Sequence, residues 1–159
     1  AARSWLFNLI VSGRVKNSNW NQWLKGDVMQ LNGSHSCFQS DNDDMQLHDR
    51  LAHFDIHPTG PLVGQGDLLS QDDCQQLETA ILADWQDWLQ ALSRQGLKQE
   101  RRAIRLLPSD FNWQWFDTHL QVSFFLPAGC FATSVLRELA IIEDGSERFS
   151  QPLSPSQQK

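Results

Sequence analysis

Apolar residues recur along this chain with two different periods, and the change from one to the other divides it. From Ala2 to Lys16, Trp5, Leu6, Leu9, Ile10 and Gly13 cover one broad helical face, and Arg14 and Lys16 sit where positive charge suits the end of the helix dipole. Asn17-Ser18-Asn19 stops this helix, and Trp20, Trp23 and Leu24 predict one more helical turn. Gly26-Asp27 opens Val28-Met29-Gln30-Leu31, and Asn32-Gly33 is a turn signal before Ser36-Cys37-Phe38, so a small β-hairpin is expected. Ser40 and Asp43 have the spacing of a capping box, and Met45, Leu47, Leu51 and Phe54 predict a helix of about three turns. Pro58, Gly60, Pro61 and Gly64 fall close together, which predicts an extended, turning connection. Ser70 and Asp73 repeat the capping pattern. Leu77, Ile81, Trp85, Trp88 and Leu92 then predict one continuous helix, with Gly96 as its C-terminal cap.

Past this helix the period shortens to two. Ala103 to Leu107 reads as a strand broken by Pro108, Phe111, Trp113 and Trp115 mark a second, and Asp117-Thr118-His119 turns the chain into a third, Leu120 to Leu126. Pro127 and Gly129 end that strand. Phe131, Val135 and Leu139, at i, i+4 and i+8, then form the stripe of a closing helix. A helix start behind a sharp turn leaves unpaired N–H groups that suit an anionic ligand, although a plain connection has the same pattern. The fold class is α+β, mainly helical up to a boundary near Arg105 and built of antiparallel strands with a helix after it.

Length and charge narrow the picture. A chain of 159 residues holds one domain, or one and part of another. A formal charge of −6 counts against a surface dominated by phosphate contacts. The basic cluster Lys98, Arg101, Arg102 and Arg105 is either a solvated face or a phosphate contact. Cys37, Cys74 and Cys130 are odd in number and widely spaced, as in a reduced cytoplasmic protein. No apolar run reaches the length of a membrane span. His48, His53, His57 and Cys74 lack metal-ligand spacing, because the Pro58-Thr59-Gly60 break separates His57 from any shared helical face, so no metal is expected. Asp43-Asp44 and Asp72-Asp73 read as helix caps. Cys130 is either an activated thiolate before a helix start or a small residue in a tight bend. Glycine-rich phosphate loops, a nucleophile elbow and a dinucleotide fingerprint are all missing from the sequence, which removes most enzyme classes.

The segment Leu126-Pro127-Ala128-Gly129, with Phe131-Ala132-Thr133-Ser134-Val135 and Arg137-Glu138-Leu139, resembles the C-terminal motif of the TruD family of tRNA pseudouridine synthases. Ala1-Ala2-Arg3-Ser4, Phe7-Asn8, the Gly26-Asp27 turn and Pro58-Thr59-Gly60-Pro61-Leu62 are similar to further segments of that family. The resemblance implies an N-terminally incomplete TRUD insertion domain at 1–105 and the C-terminal part of the catalytic domain at 106–143; the remaining 144–159, rich in Gln and Ser with Pro152 and Pro155 and without periodicity, reads as a mobile tail. The resemblance also implies a cofactor-free isomerisation in which a catalytic Asp acts on a uridine of tRNA flipped into a cleft. Phe131 corresponds to the Phe that contacts the target uridine. Arg101, Arg102 and Arg137 are the candidate RNA contacts, Arg137 alternatively meeting a carboxylate of the other catalytic half. The Gly-x-Lys-Asp motif that carries the catalytic Asp and the Asn-x-Phe motif that frames the base do not occur here, and Cys130 stands where the family usually has Ser. The chain opens at Ala1 without a methionine, so it reads as a fragment whose partners are tRNA and the N-terminal catalytic half, and which is inactive alone. A non-catalytic RNA-binding or protein-interaction module, and a plain α+β structural domain, are the rival readings.

Overall fold

The computed structural model describes residues 2–40 and 45–141. The chain divides into two compact units, Ala1–Arg105 and Leu106–Lys159.

The first unit is built on a four-stranded antiparallel sheet of order β2-β1-β3-β4. Helix α1 (Ala2–Lys16) buries Leu6 and Ile10 of the expected face, and Phe7 beside them, while Trp5 of that face stays exposed. Strands β1 (Val28–Leu31) and β2 (Cys37–Gln39) form the expected hairpin, with Met29 opposite Phe38. Helix α2 (Met45–Ala52) places Leu47 and Leu51 on Met29 and Ile56. Ser40 is buried, but the Asp43 half of its capping box and the Asp43-Asp44 pair lie outside the described residues. Trp20 to Leu24 forms turns and bends in place of the expected extra helical turn. The cause is the Arg14 guanidinium, which donates to the carbonyls of Asn19 at 3.0 Å and Gln22 at 2.9 Å and so takes up carbonyls that a helix would need.

The segment expected to be a turning connection is a strand. β3 (Ile56–Leu62) lies inside the sheet, paired with β1 through Ile56 to Pro58 and with β4 (Glu100–Ala103) through Thr59 to Leu62. Since each half of β3 has a different neighbour, neither ladder runs past both Pro58 and Pro61, and the strand tolerates the two missing N–H groups. Gly60 is needed for close approach, since a side chain there would press on the Phe7 ring of α1. β4 itself begins three residues earlier than the alternation of Ile104 and Leu106 suggests, and it ends at Ala103.

The expected single helix is α3 (Asp72–Leu82), a 3-10 turn (Ala83–Trp85) and α4 (Gln86–Arg94). At the break, Trp85 sets its ring edgewise to Trp5 at 6.3 Å and to Trp88 at 5.1 Å, while Leu82 and Leu92 join Leu6, Ile10 and Val63 in one apolar cluster. Ser70 does not cap α3. The N-cap is Gln71, without a side-chain bond, and the Ser70 hydroxyl donates to Glu78 at 2.6 Å. Gly96, with φ of 70°, follows α4 and its N–H bonds the Ser93 carbonyl at 3.0 Å, as a C-terminal glycine should.

The second unit is a two-stranded antiparallel hairpin, β5 (Ser109–Trp115) and β6 (Leu120–Phe125), followed by α5 (Ala132–Leu139). Trp113 faces Val122 and Trp115 faces Leu120, so the two strands expected from the alternation pair with each other, with a register shift between Ser109 and Asn112. Phe116 N–H closes the turn on the His119 carbonyl at 2.9 Å. The expected tail after Glu143 lies outside the described residues.

Candidate functional site

Two chemically different regions emerge from these elements. In the second unit, the strand-turn-helix runs from β6 through Pro127, whose carbonyl accepts from Cys130 N–H at 3.2 Å, and through Gly129 with φ of 85°. This bend sets Phe131 at the N-cap of α5 with extended backbone, φ −112° and ψ 125°. Phe131 therefore precedes the helix instead of joining its apolar stripe, which is carried by the half-buried Val135 and Leu136. Its ring is 72% exposed. The N-cap side chain offers no hydrogen bond to the first turn, so the helix start presents an aromatic face beside open N–H groups. Cys130 is an exposed free thiol in the bend, and Arg137 is exposed in the last turn of α5.

The hairpin before it carries an apolar face. Phe111 stacks on Phe124 with centroids 5.7 Å apart, and the register puts Trp113, Trp115, Leu120 and Val122 in the same row. Trp113 and Trp115 are 63% and 67% exposed.

In the first unit the structure disperses the basic cluster. Arg101, a candidate RNA contact, has a side chain only 1% exposed and paired with the equally buried Glu78. Its guanidinium donates to the two Glu78 oxygens at 3.0 and 2.8 Å and to the Thr59 hydroxyl and carbonyl, both at 2.9 Å. No face of it is open to a phosphate, so Arg101 is corrected from an RNA contact to an internal counter-ion. Arg105 is similarly spent, donating to the carbonyls of Leu51 and Ile56 and lying over the Phe54 ring at 4.9 Å. Arg102 is exposed and rests over the Phe7 ring at 5.5 Å, with its charge still accessible.

Around the Arg101–Glu78 pair is a buried polar network that sequence reasoning missed. Arg14 donates to both Asp27 oxygens, at 2.6 and 2.9 Å, with both side chains buried. Cys74 lies between the two acids, its thiol 3.1 Å from Asp27 and 3.6 Å from Glu78. Burial first, and then the neighbouring Asp27 and Glu78 charges, push the Cys74 thiol far above its ordinary range, so it stays protonated and donates. A signal was present, since Cys74, Glu78 and Leu82 recur at i, i+4 and i+8 and are the most buried residues of α3.

The histidines with Cys74 are not assembled into one site. His53 Nδ1 is 2.8 Å from the Asp49 carbonyl, and His57 Nε2 is 3.1 Å from Asn32 Oδ1. Burial, and next the Arg105 charge, lower the His57 pKa below the ordinary 6.5 against a smaller opposing effect of Asp55. The unfolded chain therefore takes up this proton at a higher pH than the folded one. Stability from neutral His57 is complete above about pH 6.5 and is lost as pH falls through and below that value. Urea unfolding across this range is expected to show a shallower acid decline in His57→Gln than in the unaltered chain.

Comparison with known proteins places this architecture. A crystal structure assigned to tRNA pseudouridine synthase D (TruD) of Methanosarcina mazei superimposes with a TM-score of 0.66 over 86% of this chain and 36% of that one, at 19% identity, which establishes a shared fold. The fold is thus an α+β arrangement found within a TruD-type structure. The family profile described as tRNA pseudouridine synthase D (TruD) matches residues 1–139, and the chain belongs to that family. The tRNA pseudouridine synthase D of Hydrogenovibrio crunogenus is 49% identical over 140 residues, covering 87% of this chain and 40% of the relative. That of Aeromonas hydrophila is 45% identical over 149 residues, covering 94% and 42%. The chain thus spans about two fifths of the length of these curated relatives. Among the described residues no helix is long and apolar enough to cross a membrane.

Proposed function

We propose that this chain forms part of a tRNA pseudouridine synthase, an isomerase that converts a uridine of tRNA into pseudouridine without a cofactor, and that its own contribution is to hold tRNA and the target base. The observation that carries the reading is membership of the TruD family through residue 139, a span that includes the strand-turn-helix and its exposed Phe131. An aromatic side chain at an open helix start suits an extruded uridine, because the ring takes the base face while the unpaired N–H groups favour an adjacent phosphate. Arg102 and Arg137, both exposed, are the cations proposed to meet the RNA backbone. In this reading residues 1–105 are insertion domain and 106–143 the end of the catalytic domain. The partners are tRNA and the rest of a synthase chain, and the setting is the cytoplasm without membrane attachment.

No Gly-x-Lys-Asp segment occurs in the 159 residues, which favours a division of labour in which the nucleophilic Asp comes from outside this sequence. Incubated alone with unmodified tRNA, the chain is expected to form no pseudouridine above background. In the complete synthase, Phe131→Ala is expected to lower the rate about ten- to a hundred-fold, the scale of a lost base-stacking contact. Pseudouridine made by this chain alone would disprove the division, and full activity in the Phe131 variant would disprove the uridine contact. The reading as a binding module that does not catalyse is favoured by the same missing motif, and it predicts tRNA affinity with no product in any combination of chains.

A further inference from the structure

The first unit holds a cleft that the reading above leaves unused. It lies between the helices α3 and α4 on one side and the chain leaving β3 on the other, with a volume of 450 Å³, within the range of about 300–1,000 Å³ typical of small-ligand sites. We propose that this cleft receives a second base of the bound tRNA, one turned out of its stack; the proposal rests on tRNA being the partner.

Its floor is apolar, with Val63, Leu82 and Leu89, and its walls carry the carboxamides of Gln86, Gln90 and Gln99. A carboxamide offers a donor and an acceptor side by side, which matches the edge of a nucleobase, while the apolar floor takes the ring. Gln99 is held in place because its Oε1 accepts the Gly64 N–H at 3.0 Å, while its Nε2 is fully enclosed, so this side chain shapes the wall and the reading of a base falls to Gln86 and Gln90. Gly64 cannot be another residue here, since a side chain would run into the backbone of Leu97 and Lys98 and disturb that wall. Gln86 and Gln90 are exposed and only loosely engaged, through contacts of 3.4 Å to the Leu82 carbonyl and 3.3 Å from Arg94, so both can turn to a ligand.

Charge selects the ligand class. The chain carries 19 Asp and Glu against 13 Lys and Arg, yet no acidic residue lines the cleft and the exposed Arg94 does. A phosphodiester can therefore approach, with Arg94 placed to meet the phosphate of the nucleotide whose base enters. A cationic ligand finds no counter-ion there.

The test is equilibrium binding of an unmodified tRNA transcript, at one fixed salt concentration, to the protein carrying this chain. Gln90→Trp, which obstructs the mouth, and the pair Gln86→Ala with Gln90→Ala are expected to weaken binding about tenfold. Their melting temperatures should stay close to that of the unaltered protein, because both positions are exposed. A photo-crosslinking residue at position 90 is expected to label one nucleotide of the tRNA. Affinity that responds to Phe131→Ala and not to the cleft variants would overturn the cleft assignment and leave the function standing. Labelling of a polypeptide in place of tRNA would overturn it in favour of a protein ligand. Failure of the unaltered protein to bind tRNA even at low salt would overturn both.

Discussion

Replacing Arg101 by methionine is expected to destabilise the first unit by about 3–5 kcal/mol, the cost of leaving a buried charge without its partner. The variant keeps most of the side-chain length, so lost packing accounts for little of this. What remains is a Glu78 carboxylate that is 1% exposed, with the Ser70 hydroxyl and the Cys74 thiol as its only remaining donors in the network. Urea unfolding followed by tryptophan fluorescence gives the measurement. Changing Glu78 to methionine in the same chain should recover much of the loss, because an apolar pair of similar volume removes both charges at once. A single substitution that costs less than about 1 kcal/mol would mean that Arg101 is solvated and available to a ligand after all.

Asp27→Asn is expected to cost a similar amount, about 3–5 kcal/mol, through the opposite charge. Arg14 would then lie buried with the Asn19 and Gln22 carbonyls and a neutral amide as its surroundings. This loss should also be local. The Leu24 N–H donates to Asp27 Oδ2 at 2.9 Å, and the Arg14 that holds the Asn19 and Gln22 carbonyls is itself held by this carboxylate, so much of the tethering of the turns from Trp20 to Leu24 depends on it. Limited proteolysis should therefore cut this segment faster in the variant, under conditions where Arg101→Met leaves it intact.

How far the sequence could be read depended on how many demands each residue answered. Helix α1 was legible because Leu6 and Ile10 do one thing, burying an apolar stripe. The strands β5 and β6 were legible for the same reason, through their alternation of aromatic and polar positions, although the irregularity between Ser109 and Asn112 was not. β3 was not, because Pro58 and Pro61 carry a local preference against ladders, and only the change of partner halfway along makes the strand acceptable. β4 was shifted because Glu100, Arg101 and Arg102 look like a solvated surface, whereas the middle one points at Glu78. A sequence shows charge but not the counter-ion that lets it be buried. The family resemblance singled out Phe131 as a motif position, while its helical periodicity suggested a core role; the backbone at the bend puts it one residue before the helix.

The split partnership of Arg101 and Glu78 also has a consequence for the order of events during synthesis. Glu78 on α3 leaves the ribosome before Arg101 on β4, which follows it by 23 residues. Until that guanidinium arrives, α3 can settle its carboxylate against the sheet only without a counter-ion, held by Ser70 and Cys74 alone, and β3 has only its first half paired. Early closure on an incomplete sheet would thus bury an uncompensated charge, whereas docking of the fourth strand supplies the second ladder and the missing charge together.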